Sequence, residues 1–156
     1  DGAVLPEVWD AQERGIWIDV GHGNLCFSFN VARQAMAQGF LPHIISTDNA
    51  EDKMRGPVVD LPTTMSKFLA LGMPLDDILA RVTAEPARAL GDKGARLGTL
   101  RVGAIADATV CKVVEGNFTF TDSVGEKIKA TQRILPVLTV NNGHVLGWSA
   151  TADWYQ

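Results

Sequence analysis

The sequence predicts an α/β protein that gives way to a β-rich C-terminal part. Three observations carry this. Residues 16–48 read as strand, helix, strand. The second strand, 40–48, is a near-continuous apolar run through Ile44 and Ile45 that stops on Asp48. Beyond about Gly94 the apolar period changes from helical to alternating. A strand without in-out alternation is what a parallel strand covered on both faces looks like. A polar residue at its C-terminal end stands where α/β folds gather their loops, which makes Asp48 the first functional candidate. Asp also caps the segment that follows it, so both readings of Asp48 stand at this point.

Taken in order, residues 4–14 read as a helix with Leu5, Val8, Trp9 and Ala11 on one side and Pro6 in its first turn. Residues 16–20 form a short apolar strand that runs into Gly21-His22-Gly23, where the backbone is free to turn sharply and pass close to a neighbour. Phe27, Val31, Ala35 and Met36 then recur at helical spacing, closed by Gly39. His22 and Asp48 thus both fall at the C-terminal ends of their strands. Parallel neighbours lie about 4.8 Å apart, so both side chains can face one mouth, an arrangement that suits hydrolytic acid–base chemistry. Residues 49–57 form a charged loop, a solvated connection or a flap over that mouth. Asp60 is a natural cap for a helix carrying Leu61, Met65, Phe68 and Leu69, and Leu75, Ile78, Leu79 and Val82 repeat the pattern. Thr83 is expected to cap a short helix with Glu85 in its first turn and Pro86 behind it.

The β-rich part begins with strand-like 99–102 and 108–114. Phe118 and Phe120 alternate with Thr119 and Thr121 before a turn at Asp122. Asn142-Gly143 supplies the positive φ values of a type I′ hairpin between 138–140 and 145–146. The expected division is a barrel-type part over 1–93, a small β-sandwich-type domain over 94–149, and a tail over 150–156.

A length of 156 residues suits one domain, and 46% hydrophobic residues supply a sizeable core. The formal charge of −4 is spread without blocks, so no basic stripe is available to neutralise phosphates, and no nucleic-acid partner is expected. No run has the length of a membrane span and no signal-peptide pattern is present, so no membrane partner is expected either. Cys26 and Cys111 are too few for a disulfide framework and are expected to be small buried hydrophobes in a reducing, cytoplasmic setting. The chain opens Asp1-Gly2-Ala3 and its first methionine is Met36, which suggests a processed or partial polypeptide.

Several motifs now stand in a definite order: Asp19-Val-Gly-His-Gly-Asn-Leu-Cys-Phe-Ser-Phe29, Ile45-Ser-Thr-Asp48, Gly56-Pro57, Asp60-Leu-Pro-Thr-Thr-Met-Ser-Lys67, Thr83-Ala-Glu-Pro-Ala87 and Gly98-Thr-Leu-Arg-Val-Gly-Ala-Ile-Ala-Asp107. The series resembles the amidohydrolase superfamily of metal-dependent hydrolases, most closely its dihydroorotase-like deacetylase branch. The resemblance implies the C-terminal part of a (β/α)8 TIM-like barrel, about the last two strands with their helices, followed by a small β-domain. It implies two divalent metals, usually Zn2+, held in the full-length protein by a His-x-His pair, a carboxylated lysine, two further histidines and an aspartate after the eighth strand.

Asp48 takes that last position by resemblance, as metal ligand and as general base toward a metal-activated hydroxide. His22, with Gly23, falls after the seventh strand, where the resemblance implies substrate contact. Ser46 and Thr47 are strand-end packing in this reading. This chain has no His-x-His: His43 lies mid-strand as a satisfied core side chain, and His144 lies exposed in the hairpin. A complete barrel of this type needs about 250 residues. The implied partners are a small-molecule substrate, the missing N-terminal part of the same polypeptide and, as a possible homo-oligomer, further copies of the chain.

The leading expectation is a hydrolase of an amide, cyclic amide or acylated amino or hydroxy acid, inactive as this chain alone. A noncatalytic relative that kept the scaffold as an interaction protein is the alternative. An unrelated small α/β binding module leaves the ordered motif series unexplained.

Overall fold

Pro6 opens α1 (Pro6–Glu13) in a computed structural model that describes residues 2–23, 25–50 and 56–147. A proline fits there because the first helical N–H has no intrahelical partner to lose. β1 (Asp19–Val20) pairs in parallel with β2 (Ile44–Ile45), Asp19 opposite Ile44 and Val20 opposite Ile45. Between them runs α2 (Phe29–Ala37), whose N-cap Ser28 accepts a hydrogen bond from the Val31 N–H. The strand–helix–strand unit is therefore present with parallel strands. Its ladders are shorter than the apolar runs 16–20 and 40–48, because each strand has only the other beside it among the described residues. His43 is satisfied at the edge of this ladder: its Nδ1 accepts from the Ile18 N–H at 3.1 Å and its ring tilts against Trp17.

Asp60 caps α3 (Leu61–Ala70) as its position predicts, Oδ1 accepting from the Thr63 N–H at 2.8 Å. α4 (Leu75–Val82) and α5 (Ala84–Ala89) follow, then a 3₁₀ turn over Gly91–Gly94. Thr83 does not cap α5. Its hydroxyl donates backward to the Leu79 carbonyl at 2.6 Å, since the last turn of α4 leaves that oxygen in reach.

β3 (Ala108–Thr121), β4 (Lys127–Asn141) and β5 (His144–Gly147) form an antiparallel sheet in the order β3-β4-β5. The two stretches read separately around 108–114 and 118–120 are one long strand, bent where the register shifts between Glu115 and Phe118. Residues 99–102 form no strand: Leu100 and Val102 stand exposed on a turn-rich connection. Asn142 (φ 48°) and Gly143 (φ 79°) make the expected hairpin turn, and His144 beside them is exposed.

One apolar cluster joins the helices to the sheet. Phe27, Phe29, Ile45, Met65, Phe68, Met73 and Ile78 pack with Phe120 of β3 and Ile134 of β4. The Ser66 hydroxyl in α3 accepts from the Ile134 N–H at 2.9 Å and donates to the Pro62 carbonyl at 2.7 Å, which lets a polar residue sit in this contact. Asp122 sits at the bend after β3, fully buried. Its carboxylate accepts from the N–H groups of Phe29, Val124 and Glu126. Cys26 and Cys111, expected inside, are both exposed, on a loop and on a strand face away from the cluster. No described helix is long and apolar enough to cross a membrane. The tail over 150–156 lies outside the described residues.

Candidate active site

The parallel track continues past the two-residue ladder. The Ser46 N–H donates to the Val20 carbonyl at 3.1 Å and the His22 N–H to the Thr47 carbonyl at 3.0 Å. This brings the Gly21-His22-Gly23 turn directly beside Asp48. A Cβ on Gly23 would stand 2.0 Å from the Asp48 carbonyl oxygen and 2.6 Å from its Oδ2, and one on Gly21 would stand 2.8 Å from the Asp48 Cβ. Both positions need glycine for that approach. Asp48 itself has φ 44°, a left-handed conformation that aspartate tolerates better than most residues. Its side chain is exposed in an open hollow of about 390 Å³ shared with Asp19, Cys26 and Ser46. The Ser46 hydroxyl is engaged there, donating to Asp19 Oδ2 at 2.8 Å. Two larger hollows, of about 510 and 490 Å³, run along α3 and the β3–β4 hairpin, and Asp48 lines neither.

His22 takes a different direction. Its backbone joins Asp48's turn, but its imidazole is fully buried, 4.7 Å from the ring of Phe27. Nε2 lies 2.7 Å from Nζ of Lys67, while Nδ1 is buried without a partner among the described residues. The two strand-end residues are therefore brought together through their backbones, and the imidazole offers no exposed atom to the hollow around Asp48. Gly23 is also buried, against Asp48.

Lys67 was not legible as part of this region from the sequence, where it is one polar residue on an amphipathic helix. In the structure it is 1% exposed, and its Nζ donates to the carbonyls of Pro57 and of Thr121, the latter at 2.8 Å. Burial lowers the Lys67 pKa to about 7, against the opposing pull of the Asp122 and Asp60 carboxylates. Burial likewise lowers His22 to about 4, with the Lys67 charge adding to the effect and Asp122 opposing it. At neutral pH the imidazole is therefore neutral.

Of the charged loop 49–57, Glu51, Asp52, Lys53 and Arg55 lie outside the described residues, and the expected flap with them. Asn49 is anchored by its Nδ2, which donates to the Val59 carbonyl at 3.0 Å. Among the described residues no group of three or more His, Cys, Asp or Glu is arranged to hold a metal ion. Asp48 can offer one carboxylate, and the residues beside it do not complete a binuclear site.

The fold places this carboxylate at the C-terminal mouth of two parallel strands, where α/β folds gather the loops that form their sites. No family model matches the chain. It is 43% identical over 112 residues to a deacetylase of Brucella anthropi, 72% of this chain and 27% of that protein. It is 45% identical over 113 residues to a deacetylase of Agrobacterium fabrum, again 72% and 27%. With a deacetylase of Enterococcus faecalis the identity is 36% over 138 residues, 88% of this chain and 37% of that one.

Two solved structures resemble it in fold. An adenine deaminase matches with a TM-score of 0.87 and 34% identity over 92% of this chain and 39% of its own. A dihydroorotase matches with a TM-score of 0.79 and 37% identity over 92% and 40%. These homologues and structural neighbours match the amidohydrolase superfamily, and the neighbours are TIM-barrel proteins matched over part of their length. The chain spans about a quarter to two fifths of the length of these relatives.

Proposed function

We propose that this chain forms part of a hydrolase that cleaves a C–N bond in an amide, cyclic amide or acylated amino or hydroxy acid, with Asp48 as general base. The observation that carries this reading is the exposed Asp48 carboxylate, which stands at the C-terminal end of β2 and is cradled by Gly21 and Gly23. The relatives named deacetylase, deaminase and dihydroorotase support the reaction class.

Asp48 accepts a proton from the water that attacks the scissile carbonyl and returns it to the leaving amine, a role in which a placed carboxylate contributes about 10²–10⁴ in rate. The turn carrying His22 and Gly23 walls the place where substrate rests. Gly23 lies beside the carboxylate and His22 braces the turn from within. Zn2+, proposed on the resemblance, would take Asp48 as one ligand and draw its others from outside the described residues. The test is Asp48→Asn in the full-length protein assayed on N-acyl amino acids. A fall in kcat of about 10²-fold or more is expected, and an unchanged rate would remove Asp48 from the reaction.

A further inference from the structure

We propose that Lys67 is a positioning residue for Asp48: from within α3 it fixes the ring tautomer of His22 and, with it, the glycine turn against which Asp48 rests. A lysine ammonium has three donors and no acceptor. Around Lys67 Nζ stand three acceptors: His22 Nε2 at 2.7 Å, the Thr121 carbonyl at 2.8 Å and the Pro57 carbonyl. Two of these are carbonyls and can only accept. With the ammonium donating to all three, Nε2 carries no proton and the ring hydrogen falls on Nδ1.

The three acceptors belong to three separate segments. His22 follows β1, Pro57 closes the stretch that leaves β2 through Asp48, and Thr121 ends β3. The first of these lies in the turn that touches Asp48. Gly21 and Gly23, one on each side of His22 in the chain, both approach Asp48. A single buried cation thus ties the turn beside the carboxylate, the segment leading into α3 and the end of β3 to one point of α3. Asp122 and Asp60 supply the opposite charge that keeps such a cation inside. The catalytic consequence rests on Asp48 being the base, whereas the tautomer does not.

Histidine-selective ¹⁵N labelling of the full-length protein at pH 6 tests this, with the His22 signal assigned by its loss in His22→Asn. At that pH Lys67 is charged and His22 neutral. The expected spectrum shows a protonated, pyrrole-type Nδ1 and a pyridine-type Nε2. A proton on Nε2, or an even mixture, overturns the proposal whatever the activity. In Lys67→Met the single tautomer is lost and kcat falls about tenfold or more, with KM unchanged. Retention of both tautomer and kcat overturns it too. If that variant does not fold, the wild-type spectrum decides alone. Full activity in Asp48→Asn defeats the general-base reading instead, and leaves the tautomer result standing.

Discussion

Gly23 and Asp48 are in such close approach that any side chain at the first would enter the second: a Cβ there falls 2.6 Å from Asp48 Oδ2. Gly23→Ala is therefore expected to displace both the carboxylate and the Asp48 backbone, whose carbonyl oxygen that Cβ would meet at 2.0 Å. A displacement of about 1 Å at a reacting group costs on the order of 10² in rate. The expected outcome is that loss in kcat/KM with an unchanged circular dichroism spectrum. Full activity would show that Asp48 need not sit where it does.

The lowered pKa of Lys67 has a sign that can be measured. Unfolded, this lysine holds its proton to about 10.5, and folded only to about 7. Between those values the unfolded state binds more protons, so stability rises with pH, by at most about 1.4 kcal/mol per unit. The contribution is complete above the unfolded value and is lost as pH falls toward 7. Urea midpoints taken between pH 7 and 10 should rise more steeply in the wild type than in Lys67→Met. Identical slopes would mean that Lys67 keeps an ordinary pKa in the fold. His22 acts in the same direction over a lower window, its stabilising share being lost as pH falls from 6.5 toward 4.

Asp122 holds three backbone N–H groups from two segments that lie far apart in sequence. Asp122→Ala leaves all three without their acceptor in a buried place, at a cost on the order of 3 kcal/mol. Asp122→Asn keeps Oδ1 as an acceptor for Val124 and Glu126 and loses the Phe29 bond, so it should cost less. Denaturant unfolding of both variants checks the ranking, and equal losses would contradict the division of work between the two oxygens.

The two-stranded parallel sheet has an unpaired edge on each strand among the described residues, and Leu25 and Val31 stand exposed close by in the chain. Unpaired parallel edges are templates for association. Expressed by itself, the chain is expected to self-associate at micromolar concentration. Light scattering that shows a monodisperse monomer with a sharp thermal transition would contradict this.

Where the chemistry of a residue is local, the sequence was a sufficient guide. Asp60 caps α3 because its own side chain reaches an N–H three residues on, and Asn142-Gly143 turns because both residues accept positive φ. Asp48 was legible for a related reason, since an apolar run that ends on a carboxylate marks a strand end.

What escaped depends on contacts distant in sequence. Only 138–140 of β4 was legible in the sequence, and Pro136 is a residue that local propensity places outside a strand. Yet Pro136 lies opposite Cys111 at a register shift and ahead of Leu138, where β5 begins to pair, so its missing N–H breaks no second ladder. Lys67 reads as a solvated helix position until Pro57, Thr121 and His22 close around it. Cys26 and Cys111 look apolar enough to bury, but the local pattern does not say which face the loop or strand presents.

The stitching between α3 and the antiparallel sheet also limits how such a chain can be reshuffled. Ser66 meets Ile134 and Lys67 meets Thr121, each at a depth set by the other partner. A genetic crossover that joined this helix to a foreign sheet would take the Thr121 oxygen from the Lys67 ammonium and the Ile134 N–H from the Ser66 hydroxyl. Helix and sheet are thus obliged to be inherited as a matched pair.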